Sequence, residues 1–240
     1  MSMRTTARAV GTCFLLAFVF YIAGGVMVDS GAGNPAVLAK VVDHQTLIAS
    51  GGLLMMVNSL LIAAVGVLIF PILRRRHEVS AFGYLICRSV EAVMLVVGTV
   101  FLLLLIPLGK EYAASGQQGT DLPALARVAQ QANYYSYEVG MIAVGVSGLV
   151  LCRVLLLTGL VPKLLALGGL FGYALFFVGS VLEVLGYAVG NLLSVPGGLF
   201  EVALGVLLIA RGFTAPNDDS DRAAPAEMDL RSAPKTLIRL

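Results

Sequence analysis

The sequence predicts an all-α fold: an integral membrane bundle of six transmembrane helices, with a short amphipathic helix in the outer loop between helices three and four. Three observations carry that expectation. Of the 240 residues, 58% are hydrophobic and only 12% are charged, about half the ~25% charged share usual in soluble domains. Five apolar runs are long enough to cross a ~30 Å hydrocarbon core unaided, and a sixth is marginal. The basic residues sort strongly to one side of those runs. With so much of the chain in helices, residues 1–213 form one transmembrane domain and residues 214–240 a tail.

The first span runs from about Ala9 to Val28 behind Arg4 and Arg8. It is too long for the apolar region of a cleaved signal peptide and ends in VMVDSGAG without a small-residue cleavage site, so it is read as a retained helix. A polar segment, Asp29 to Gln45, leads to the second span, Thr46 to Leu73, which carries Asn58 and ends in Arg74, Arg75 and Arg76. The third span, Ala81 to Leu108, contains GYLICRSVEAVMLVVG, with Arg88 and Glu91 inside an otherwise aliphatic stretch.

Between Gly109 and Tyr135 lies the longest connection. Asp121 is placed to cap a helix with Pro123 in its first turn, and Leu122, Leu125, Val128 and Ala129 recur at helical spacing. That pattern predicts a helix lying on the membrane surface, and the Tyr134, Tyr135 and Tyr137 cluster suits the headgroup level. The fourth span, Ser136 to Leu157, includes Glu138. The fifth follows the turn at Leu160 to Lys163, runs to about Ala188 and includes Glu183, with Gly168 and Gly172 at a spacing that lets helices approach closely. Gly190, Asn191, Pro196, Gly197 and Gly198 weaken the start of the sixth, whose secure helix is Pro196 to Arg211. A broken start is expected there, since irregular backbone at membrane depth is tolerated where protein or a water cavity covers it. The tail has three prolines and no periodic apolar face, which predicts disorder.

With the amino terminus inside, twelve of the sixteen basic residues lie on the inner side, three (Lys40, Lys110 and Arg127) on the outer side, and Arg88 within the bilayer. The positive-inside bias thus predicts an inner-membrane protein with both termini cytoplasmic. The net charge of +2 is too small and dispersed for a nucleic-acid partner. Cys13, Cys87 and Cys152 all sit in apolar runs as packing residues, and no Cys/His spacing suits a metal or haem, so no cofactor is expected. The partner that composition demands is the lipid bilayer.

Arg88 and Glu91 are three residues apart, on one helix face and close enough to pair. At ~1.5 Å rise per residue, Glu91, ten residues beyond Ala81, and Glu201, ten before Arg211, share a level roughly 15 Å from the inner face, with Arg88 about 10 Å in. Charges at that depth demand partners. Arg88, Glu91 and Glu201 are therefore expected to meet in a buried cluster joining helices three and six. One arginine against two carboxylates leaves a surplus negative charge, which a proton on one glutamate or another cation would balance. Asn58 and Glu138, at roughly 22 Å, would line a polar path from the outer face. Glu183 is expected near the outer surface, in water.

PILRRRHE at Pro71 to Glu78, the Arg88/Glu91 motif, and PGGLFEVALGVLLIARGF at Pro196 to Phe213 together resemble the bacterial membrane family called domain of unknown function 4386. The resemblance covers about Arg8 to Phe213; it implies a six-helix membrane protein and supplies no activity. The cluster itself points to binding or transport of a small molecule, lipid or ion. The alternative is a structural or accessory subunit, because buried ion pairs also fix helix register. An intramembrane enzyme with a glutamate acid or base is disfavoured, since no nucleophile elbow, H-E-x-x-H or histidine occurs in the spans.

Overall fold

A computed structural model describes residues 2–32, 38, 40–116 and 121–214 of the chain. Of the tail expected over 214–240, residues 215–240 lie outside the described residues. The helices are α1 (Met3–Ala32), α2 (Lys40–Asp43), α3 (Gln45–Arg74), α4 (Glu78–Leu103), α5 (Leu105–Ala114), α6 (Asp121–Thr158), α7 (Lys163–Val184) and α8 (Val195–Ala210), with a 3-10 segment at Gly190–Ser194 before α8. Six helices among the described residues are long and apolar enough to cross a bilayer, α4 and α5 counting as one. The chain is a multi-pass membrane protein.

The spanning helices close a ring in chain order. Each of α1, α3, α4, α6, α7 and α8 packs on the next, and α8 returns to α1. Arg4, Arg75, Arg76 and Leu160 gather at one end, where the Thr214 amide also donates to the Leu160 carbonyl at 2.9 Å. We call this the basic end and the opposite one the far end. Toward the basic end the ring is filled by Val10, Ile69, Leu73, Leu155, Leu204 and Leu208, each at most 2% exposed.

Small residues set the closest approaches, as expected where lipid removes the ordinary hydrophobic drive for helices to associate. A Cβ on Gly24 of α1 would lie 2.6 Å from the Gly51 carbonyl oxygen of α3, and one on Gly51 would lie 2.7 Å from the Gly24 oxygen. Gly51→Ala should therefore push α1 off α3 at a cost of about 1–2 kcal/mol. Adding Gly24→Ala should cost much less than its single-mutant effect, because the helices have already parted. Full additivity in a detergent-unfolding double-mutant cycle would refute the contact.

Several boundaries differ from expectation for identifiable reasons. The third span breaks at Leu104 because Pro107 has no N–H for the Leu103 carbonyl. The fifth ends at Val184, short of Ala188. Gly186 takes φ +88°, the Gly186 amide donates to the Glu183 carbonyl and the Tyr187 amide to that of Leu182, the paired bonds of a glycine-terminated helix. A Cβ on Gly172 would lie 2.9 Å from the Pro196–Gly197 backbone, but one on Gly168 would meet nothing within 4 Å, so only one of that pair is at an interface.

The largest correction concerns the outer loop. The short amphipathic helix expected there begins at Asp121 but never separates from the fourth span: α6 is one helix of 38 residues, about 57 Å long. Between Pro123 and Gly140 there is neither glycine nor proline to end it. Its packed face is also rotated in part from the expected one. Leu122 and Ala129 pack as expected, joined by Ala126, against Val28, Leu38, Val41 and Leu105, whereas Leu125 and Val128 are exposed. Gln130 Nε2 ties this cap to α1 through the Ala32 carbonyl at 2.8 Å. The start of the sixth span, expected to be broken, is a 3-10 segment at Gly190–Ser194, with Pro196 in the first turn of α8.

Candidate functional site

Arg88 and Glu91 project from one face of α4, and Glu201 reaches them from α8. Arg88 Nη1 donates to Glu91 Oε2 at 2.7 Å and Nη2 to Glu201 Oε1 at 3.4 Å. The Arg88 and Glu91 side chains are 3% and 4% exposed and that of Glu201 13%, so the pair on α4 is sealed and the third member is partly open. Such a burial is tolerable only because each charge is partnered.

Three aromatic residues complete the setting. The Tyr173 hydroxyl of α7 donates to Glu201 Oε1 at 2.7 Å. The Arg88 guanidinium carbon lies 5.2 Å from the centroid of Phe14 in α1 and 5.8 Å from that of Tyr84, cation–π distances that offset part of the guanidinium's lost hydration. Tyr84 Oη and Arg88 Nε are both buried without a partner in hydrogen-bond geometry among the described residues. Arg88 thus joins α4, α8 and α1 at one point. None of Tyr173, Tyr84 or Phe14 was expected at the cluster. Tyr173 had a usable signal: it lies ten residues beyond Lys163, the same ~15 Å depth as the two glutamates.

The cluster forms the floor of a cavity of 320 Å³ inside the ring. Its walls are mainly apolar, with Phe14, Ile62, Val65, Leu95, Val144 and Phe176, and its polar groups are those of Tyr21, Asn58, Tyr137, Ser194 and the cluster. A space of that size falls at the lower end of ligand-pocket sizes. Asn58 is 3% exposed, lines this cavity, and makes no hydrogen bond to another described residue. Both contacts on Glu201 fall on Oε1 and the one contact on Glu91 falls on Oε2. Tyr137, expected at headgroup level, instead faces Tyr21 across the cavity wall, ring centroids 5.9 Å apart.

Glu138 lines a separate, much narrower pocket of 10 Å³ with Ser180 and Glu183. Tyr137, Met141, Phe176 and Ser194 belong to both pockets, so the two adjoin. Asn58 and Glu138 therefore occupy different spaces: the first is in the main cavity, the second beside it toward the far end. Glu183 accepts a hydrogen bond from the Tyr134 hydroxyl, so it is held by protein as well as lying near the surface. At the basic end Arg74 pairs with Glu78 at 3.0 Å, while Arg75 and Arg76 line a groove between α1 and α3. The three cysteines are free thiols, Cys152 buried and the others half-buried. Among the described residues no three His, Cys, Asp or Glu side chains gather closely enough to hold a metal ion.

The family model described as Domain of unknown function (DUF4386) matches residues 9–212, spanning every transmembrane helix. The chain belongs to the DUF4386 family. No curated protein and no solved structure matches it. In this DUF4386 protein the matched region contains the whole cluster, Arg88, Glu91 and Glu201, and the cavity above it.

Proposed function

We propose that this DUF4386 protein binds a small molecule inside the membrane, in the cavity above Arg88, Glu91 and Glu201, and that the ligand carries a cationic or hydrogen-bond-donating group. The observation that carries this reading is the combination, in one cavity, of an acidic floor with a buried Asn58 that meets no partner among the described residues. One guanidinium faces two carboxylates, so the floor has a formal charge of −1 when all three are ionised. A site built only to lock helices together would gain from equal charges and a filled core. Apolar walls suit a ligand with a hydrocarbon body, and Asn58 supplies a donor and an acceptor to fix its orientation. The bias of basic residues supports a reading with both termini cytoplasmic and the cavity in the outer half of an inner membrane. Transport would be a further use of the same site.

The test is binding of n-octylamine to the protein in lipid nanodiscs, read as a concentration-dependent rise in unfolding temperature. Wild type should be stabilised by octylamine more than by octanol. Glu201→Gln and Glu91→Gln each remove the surplus charge and should weaken octylamine binding by about tenfold to a hundredfold, the value of one charge-assisted hydrogen bond. Equal responses to amine and alcohol, unchanged in both variants, would leave the cluster as a helix-register lock in an accessory subunit.

A further inference from the structure

We propose that the ligand is a membrane-dissolved amphiphile which enters the cavity sideways from the lipid, through a gap between α1 and the start of α8, with its polar head leading to the acidic floor. This rests on the binding reading above and adds the route and the hydrocarbon chain.

The gap follows from how the two helices meet. A Cβ on Gly11 would lie 2.5 Å from the Gly205 carbonyl oxygen, so α1 and α8 touch closely in the half nearer the basic end. Two to three turns farther on, Phe18 and Ile22 of α1 and Val195 and Gly198 of α8 all line the cavity. Ile22 is nevertheless 60% exposed and Val195 49%, which makes them a rim shared by the cavity and the lipid-facing surface. Every residue of that rim is apolar or glycine. A Cβ placed on Gly198 would meet nothing within 4 Å, so the backbone there borders open space.

The competing route is the polar pocket at Glu138 and Glu183. Its 10 Å³ is about what one water needs, so it admits water or a proton and excludes a solute with a carbon skeleton. At the basic end the ring is closed by packed side chains. A molecule filling the cavity is therefore left with the rim, and an apolar rim favours a solute already partitioned into the hydrocarbon.

The chain contains no tryptophan, so one introduced tryptophan is the sole reporter of its kind. Ile62→Trp, with Val144→Trp as a second reporter on another wall, would be reconstituted in nanodiscs of phosphatidylcholine brominated on its acyl chains. Expected is strong quenching by the bromolipid and none by aqueous iodide. Gly198→Phe, which has room to project into the gap, should abolish that quenching in both reporters. Gly198→Ala should leave it intact, as should Gly25→Phe on α1, another position with nothing within 4 Å. Iodide quenching in place of bromolipid quenching, or bromolipid quenching that persists with Gly198→Phe, would overturn the proposal. Octylamine binding lost only in the glutamate variants would then stand on its own, since bromolipid quenching reports access without the amine.

Discussion

Arg88→Met will destabilise the bundle by about 3–5 kcal/mol, because it leaves two buried carboxylates with no cation between them. Among the described residues Arg88 is the one basic side chain in contact with Glu91 and Glu201, and it also spans from α4 to α8 and to the Phe14 ring of α1. Methionine keeps most of the volume, so the loss is electrostatic rather than a cavity effect. The decisive comparison is the triple variant Arg88→Met, Glu91→Gln, Glu201→Gln. With no charge left uncompensated, it should recover most of the lost stability, as whole buried ion groups replaced by neutral side chains often do. Unfolding in mixed micelles by titration with SDS measures both. A single variant as stable as wild type, or a triple variant worse than the single, would refute the pairing as the origin of the cost.

Gly148→Ala should cost about 3 kcal/mol and disturb the site from a residue that touches no part of the cluster. A Cβ there would lie 2.2 Å from Cγ and Cδ1 of Tyr173 and 2.3 Å from Cδ2. The ring has nowhere to go, being 2% exposed and set edge-on to Phe200 at 5.5 Å. It must shift, and its hydroxyl must leave Glu201. Tyr173→Phe removes the same hydrogen bond without the clash, at about 1 kcal/mol. The two variants should weaken octylamine binding alike while differing widely in stability. Equal stability would show that the α6–α7 contact is not as close as described.

Much of this arrangement was legible in the sequence because depth in a bilayer is nearly a counting problem. The i, i+3 spacing of Arg88 and Glu91, and the matched ten-residue distances from Ala81 and Arg211, put three charges at neighbouring levels. Counting fixes height along a helix and leaves rotation about its axis open. Gly172 and not Gly168 is therefore the interfacial glycine, and Leu125 and Val128 face outward where Ala126 and Ala129 pack. Phe14 had no signal at all, since one phenylalanine in an aliphatic run looks like any other. The cavity was equally hidden, because it arises where helices in contact at Gly11 and Gly205 leave space farther along.

The filled half of the ring governs speed. Between the acidic floor and the basic end stand Leu204 and Leu208 of α8, Val10 of α1, Ile69 and Leu73 of α3 and Leu155 of α6, with no polar column among them. About 10 Å of packed, largely apolar side chains separates Arg88 from the level of Ala81. No ion can drift through that layer as it would through an open pore. Any flux across this protein has to wait for whole helices to re-pack, and so runs on the microsecond-to-millisecond clock of collective motion rather than at the pace of free diffusion.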